Sequence, residues 1–179
     1  MRLLFPILQS YAPSWLVKRE LKNLAHVTAS AMGGHFPPTE GLSYEECLSA
    51  YAHFTREKSA ESLAHGDTEI RDRLFEAGLA LGTRYRKRFA VSAVEEATDA
   101  MKFVYRMIGI DIDFAGDKFT VKSCRFSGSY NTQTCRIMSA LDEGVFRGLS
   151  GSGNLRFSKR ITEGCQTCRG TVFFERTSG

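Results

Sequence analysis

Four of the five cysteines in this chain, Cys124, Cys135, Cys165 and Cys168, fall in one stretch of its C-terminal half. A free cysteine packs like a small hydrophobe, but its thiolate is a strong nucleophile and a soft metal ligand. The cluster therefore reads as packing, as a metal site or as a catalytic site, and residue types alone leave the three open. Cys135 has the clearest electrostatic reason to react. With Asn131 capping the helix that follows, Cys135 takes its fourth position, near the positive end of the helix dipole, with Arg125 and Arg136 nearby in sequence. Both influences favour thiolate, so a lowered thiol pKa is expected. The preceding loop offers backbone N–H groups and the hydroxyls of Ser127 and Ser129, a setting that suits a carboxylate or phosphate. Asp142 lies two helical turns beyond Cys135 and returns to the same face, where a carboxylate can move a proton or complete a metal shell.

Cys165 and Cys168 form a single C-x-x-C pair. Cys124 and Cys135 are too far apart to be a second knuckle of a zinc ribbon, yet they offer two further ligands. That makes Cys124, Cys135, Cys165 and Cys168 the candidate metal set. A thioredoxin-like role fits poorly, because the pair lies between strands and not at the start of a helix. The four histidines, His26, His35, His53 and His65, all fall in the N-terminal half and lack H-E-x-x-H spacing. His35, in a proline-rich loop, is the one able to reach a pocket as a base. No phosphate loop, nucleophile elbow or dinucleotide fingerprint is present.

The elements that must position these residues follow from periodicity. Helical spacing predicts a first helix from Pro13 to about Met32, stopped by Gly33 and Gly34. Ser43 and Glu46 form a capping-box pattern for a second helix ending at Gly66. Asp67 is placed to cap a third, carrying Ile70, Leu74, Ala77 and Leu81, and Ser92 with Glu95 to open a fourth. Apolar stripes on these helices, Tyr51 and Tyr105 among them, read as core, as does Cys47. At Gly109 the period changes to two. Ile110, Ile112 and Phe114 predict a strand, and Phe119, Val121 and Ser123 its hairpin partner across Ala115-Gly116-Asp117. A helix over 132–147, a glycine-rich bend over 148–154, a strand through Leu155, Phe157, Lys159 and Ile161, a turn at Gly164-Cys165 and a closing strand from Val172 to Glu175 complete the chain. The expected fold is α+β: N-terminal helices packed on a small, largely antiparallel C-terminal sheet with one inserted helix. The natural division is a helical part over 1–108 and a cysteine-containing α+β part over 109–179, expected to form one compact domain.

Composition excludes several roles. A length of 179 residues supports a substantial core, and the net charge of +4 is mild and spread evenly over both halves. No basic or acidic tail points to nucleic acid. The cluster Arg84, Arg86, Lys87 and Arg88 sits where cations complement a helix C-terminus. The apolar run Leu3–Leu8 is short and broken by Pro6, so it makes a poor export signal, and no segment is long enough to span a membrane. An odd cysteine count without an export signal suggests reduced thiols in a cytoplasm. A homo-oligomer is compatible with everything above.

From Ile110 to Phe174 the pattern resembles a known family. Cys124 at a strand end, Cys135 in the next helix and the run Arg160-Ile161-Thr162-Glu163-Gly164-x-x-x-Cys168 are similar to the C-terminal part of the L-2-amino-thiazoline-4-carboxylic acid hydrolase family. The same run also resembles small-ligand-binding domains of the 4-vinyl reductase type. Cys165 departs from both, standing where a polar or acidic residue often follows the glycine. The hydrolase resemblance implies, without a cofactor, opening of a small sulfur- and nitrogen-containing ring that carries a carboxylate. Cys135 or Cys124 would attack or orient water, with Cys168 beside them. Asp142 would move protons, and Arg125, Ser127, Ser129 and Asn131 would hold the carboxylate. Turnover of an aminothiazoline carboxylate should then vanish in Cys135→Ser. The vinyl-reductase resemblance implies instead a binding or sensor module in which the cysteines hold zinc and the helical half lines an apolar pocket. A third reading makes the helical surface an interaction face.

Overall fold

A computed structural model of the chain describes residues 13–174. The apolar run at Leu3–Leu8 and the expected strand end at Glu175 lie outside these residues. The order is α1 (Ser14–Ala31), α2 (Tyr44–Ala64), α3 (Ile70–Phe89), α4 (Val94–Arg106), β1 (Ile110–Ala115), β2 (Lys118–Cys124), α5 (Thr132–Ser150), β3 (Gly153–Lys159) and β4 (Cys168–Phe174). Short 3-10 turns, Arg125–Gly128 and Ile161–Glu163, precede α5 and β4. The fold is α+β, as expected, with one helix inserted between the two halves of an antiparallel sheet.

Local chemistry explains most boundaries. Ser43 and Glu46 close the capping box that starts α2: the Glu46 N–H donates to Ser43 Oγ (3.2 Å) and the Ser43 N–H to Glu46 Oε2 (2.7 Å). At α4 the partner is shifted by one residue. Glu96, not Glu95, accepts from the N–H groups of Ser92 and Ala93 and from the Ser92 hydroxyl. Asp67 does not cap α3 directly; it accepts from the Glu69 N–H (3.1 Å) and pairs with Arg73 one turn further on. Helix α5 runs three residues past its expected end, to Ser150, and stops at Gly151 in the left-handed region (φ 85°). Ile161 leaves the strand early and enters the 3-10 turn.

Gly148 fails as a helix terminator because it serves packing. Gly78 and Gly82 on α3 face Gly144 and Gly148 on α5 at matched four-residue spacing. A Cβ at Gly78 or Gly82 would strike the backbone of Leu141 or Val145, and one at Gly144 or Gly148 the backbone of Phe75 or Leu79. The two helices thus lie backbone against backbone over about two turns.

The sheet has strand order β1-β2-β4-β3, every neighbour antiparallel. Alternation puts Ile110, Ile112, Phe119, Val121, Leu155, Cys168 and Val172 on the face covered by helices. Among the described residues no helix is long and apolar enough to cross a membrane.

Candidate functional site

The helices leave a cavity of about 90 Å³ between α1, α3, α4, α5 and the start of the sheet. Its wall is mainly apolar: Leu24, Leu81, Val104, Ile108, Met138, Leu141 and Val145 are among the contributors. Four tyrosines, two cysteines and two carboxylates supply its polar groups. The wall contains no Lys, Arg or His.

Of the two carboxylates, Glu20 is buried and tied down. Burial pushes its carboxyl up, but the hydrogen bond and charge of Arg88 (2.6 Å) outweigh that and hold it below the ordinary range. The Tyr85 hydroxyl donates to it at 3.3 Å. Arg88 comes from the basic cluster read as a helix-end feature, so part of that cluster also neutralises a core carboxylate.

Asp142 is the second carboxylate of the wall. Deep in the protein yet keeping part of its surface accessible, it has the environment of a group that faces a cavity. Burial pushes its carboxyl up to about 7, against the opposing pulls of Tyr105 and Arg160. Tyr51 and Tyr130 are satisfied by threonines: Tyr51 Oη meets Thr28 Oγ1 at 3.0 Å, and Tyr130 Oη meets Thr55 Oγ1 at 2.6 Å. Tyr105 is different. Its ring is 3 % exposed and its hydroxyl is buried without a close hydrogen-bond partner among the described residues. Its main polar neighbour is Asp142, whose charge and loose hydrogen bond add to burial in pushing the phenol up.

The cysteines divide. Cys124 ends β2, Cys135 lies in the first turn of α5 and Cys168 begins β4, and each feels the charge of Asp142. Cys124 and Cys135 line the cavity. Cys168 is buried and accepts from the Ile161 N–H at 3.4 Å. Cys165 lies outside this group in the turn before β4, and Cys47 is core, 1 % exposed.

Their reactivity corrects the sequence expectation. Asn131 does cap α5, with the Thr134 N–H donating to its Oδ1 at 2.8 Å. Yet burial pushes the Cys135 thiol up, not down, and only Arg160 and the nearby Thr162 hydroxyl oppose this. The two arginines expected to help are engaged elsewhere, Arg125 with Glu45 and Arg136 with Glu163. Burial drives Cys124 higher still, to about 12, with Asp142 adding to the effect. At neutral pH these groups are thiols.

The predicted carboxylate-binding loop is also placed differently. Arg125 and Ser129 are exposed, Ser127 donates to its own Cys124 carbonyl (2.7 Å), and Asn131 is used as a helix cap. None of the four is in the cavity wall. His35 is exposed and also outside it. Among the described residues no group of three or more His, Cys, Asp or Glu side chains is placed to hold a metal ion. The set Cys124, Cys135, Cys165 and Cys168 is therefore not assembled as a zinc site, and no zinc step is drawn from it.

No protein-family model and no curated protein matches the chain, so the site must be read from its own chemistry. Sequence reasoning placed Tyr51 and Tyr105 on apolar stripes as core. The usable signal was a phenol on a stripe facing buried threonines or a mid-helix aspartate, since a buried tyrosine hydroxyl normally finds a partner.

Proposed function

We propose that this protein binds a small, mainly apolar molecule in the cavity between α1, α3, α4 and α5, with Asp142 and Tyr105 meeting its polar end. The observation that carries this reading is the cavity itself, mainly hydrocarbon-walled with a few polar groups in its lining. Size limits the ligand. An apolar cavity of about 150 Å³ accepts benzene, so one of 90 Å³ suits roughly four heavy atoms without expansion. By the ligand-efficiency ceiling such a molecule binds no tighter than roughly tens of micromolar.

The test uses 1-propanol as a neutral probe, titrated while methyl resonances of Met138, Leu141 and Val145 are followed by NMR. Saturable shifts at these methyls are expected, and they should shrink in Val104→Leu and Val104→Phe, which fill the cavity by different amounts. Absence of saturable shifts in the folded wild type would overturn the reading.

The second reading is cysteine-dependent opening of a small heterocyclic carboxylate. One observation favours it: a carboxyl titrating near 7 beside two thiols, suited to proton transfer. It requires a thiolate where burial favours thiol, and a cation for the substrate carboxylate where the wall has none. Alkylation of Cys135 by iodoacetamide at pH 7.5 faster than that of free cysteine would restore it.

A further inference from the structure

Strand β3 is an edge of the sheet, and its pairing with β4 dictates which of its backbone groups are left over. On β4 the Val172 N–H donates to the Asp117 carbonyl at 2.7 Å, so Val172 bonds towards the β2 side. Antiparallel bonding alternates along a strand, so Thr171 and Phe173 bond towards β3, where they meet Arg156 and Asn154. The N–H and C=O groups of Leu155 and Phe157, opposite Val172 and Gly170, therefore point away from the sheet. None of these four groups has a partner among the described residues. Gly153 points the same way but is already engaged, its N–H donating to Ser150 Oγ at 2.8 Å. Beyond Phe157 the register shifts, so the free stretch is short.

A cleft of about 340 Å³ runs along this edge, with residues 154–157 of β3 on one side and Phe75 of α3 and Glu143 of α5 on the other. Space beside an unpaired edge is what a further strand needs, since paired strands lie about 4.8 Å apart. The charges of the cleft select the kind of strand. Glu143 is paired with Arg71 at 3.2 Å. Arg160 stacks on Phe157, 5.1 Å from the ring centre, and is held by Ser139 and Glu163. Arg156 lies over Phe173 at 5.2 Å, and no carboxylate among the described residues pairs with it. Alternation puts Arg156 on the outer face of the sheet, beside the side chain that an added strand presents between its contacts with Leu155 and Phe157. An acidic side chain is attracted there and a basic one repelled.

We infer that the edge of β3 is a docking site for an extended acidic peptide of another protein, which adds a fifth strand to the sheet. Its backbone bonds the four groups of Leu155 and Phe157, and an aspartate or glutamate at its centre faces Arg156. The apolar residues on either side of that acid turn inward towards Phe75. A second copy of this chain is a poorer occupant. The symmetric register that joins all four groups, Leu155 to Phe157 in both directions, sets Arg156 against Arg156. The edge cleft shares no lining residue with the internal cavity, so the inference stands or falls apart from the binding role proposed above.

The experiment titrates a capped heptapeptide, Ser-Thr-Val-Glu-Val-Thr-Ser, into the full chain at low ionic strength and follows backbone amides by NMR. Saturable shifts are expected, with slowed hydrogen exchange at the Leu155 and Phe157 amides. The same peptide with lysine in place of the glutamate should bind roughly fivefold more weakly, the scale of an exposed ion pair. Arg156→Ala should erase that preference, and Arg156→Glu should reverse it. Proline in place of the first valine should abolish binding, and sodium acetate should leave exchange at both amides unchanged. Absence of slowed exchange at Leu155 and Phe157 under saturating peptide would overturn the inference. So would an unchanged glutamate preference in folded Arg156→Glu, or acetate acting as the peptide does, which would make the cleft a plain anion site. Sedimentation showing that the chain already pairs through this edge without peptide would make the occupant a second copy and overturn it too.

Discussion

Helix α5 has two adjoining faces, and the molecule treats them in opposite ways. On one, Gly144 and Gly148 press against the backbone of α3 so closely that a methyl group has nowhere to go. On the other, Met138, Leu141, Asp142 and Val145 look into open space. Leu141 and Val145 belong to both: their backbones receive Gly78 and Gly82, while their side chains line the cavity. A core packed at crystal-like density does not leave a hole one helix radius from its tightest seam without a cost. The seam fixes the position of α5, and with it the place of Asp142 opposite Tyr105. Rigidity on one side is what allows a defined void on the other.

The largest expected effect comes from breaking the seam. In Gly144→Ala the added methyl meets the Phe75 carbonyl, a backbone atom that cannot rotate aside. The loss should be about 3 kcal/mol or more in urea unfolding, the upper range for overpacking. Gly128→Ala, where the added Cβ meets nothing within 4 Å, should stay within about 0.5 kcal/mol of wild type. Comparable losses at both positions would mean that helix spacing does not hold the fold.

The seam and the cavity were legible in the sequence to different degrees. Element types, the Ser43–Glu46 box and the Asn131 cap follow from local rules, because a cap is chosen within one turn of chain. The Gly78-x-x-x-Gly82 and Gly144-x-x-x-Gly148 spacings stand in the sequence, yet each glycine reads locally as a weak helix residue, and Gly148 as the start of a bend. Only the partner helix reveals what they do. The electrostatics failed for a similar reason. A helix start and nearby arginines argue for a reactive Cys135, but desolvation depends on everything folded over the sulfur, and the arginines chose Glu45 and Glu163. Asp142 was singled out from its spacing to Cys135. Its elevated pKa required knowledge of the apolar wall around it.

A second prediction tests the cavity side through pH. Asp142 has a folded pKa of about 7 against an ordinary value of 3.8. A raised carboxyl stabilises the fold below its unfolded pKa, and that contribution is lost as pH climbs through the folded value. A shift of this size corresponds to at most about 4 kcal/mol. Asparagine cannot ionise but keeps a buried amide, so Asp142→Asn should gain about 2 kcal/mol over wild type at pH 8 and little at pH 5. The check is the difference in chemical-denaturation free energy at the two pH values. A difference that stays flat with pH would show that Asp142 is ionised throughout and is not shielded by the cavity wall.

The smallest effect is the most discriminating between the two faces of α5, because it separates a group placed for packing from one placed for a ligand. Tyr130 and Tyr105 both line the cavity, but Tyr130 is bonded to Thr55 at 2.6 Å, whereas Tyr105 has only a loose interaction with Asp142. Removing the Tyr130 hydroxyl loses its bond to Thr55, which keeps its own bonds to the Tyr51 and Ala52 carbonyls, so Tyr130→Phe should cost about 1 kcal/mol. Removing a loosely held one loses little and relieves part of a desolvation penalty, so Tyr105→Phe should be neutral or stabilising by up to about 1 kcal/mol. Urea unfolding of the two variants beside wild type, without added ligand, measures the pair. A hydroxyl whose loss strengthens the fold is one that folding does not explain, and stability given up at a single buried atom is the usual mark of a site shaped for binding. If Tyr105→Phe instead weakens the protein as much as Tyr130→Phe does, the hydroxyl has a structural partner such as a bound water, and the cavity becomes ordinary solvated core.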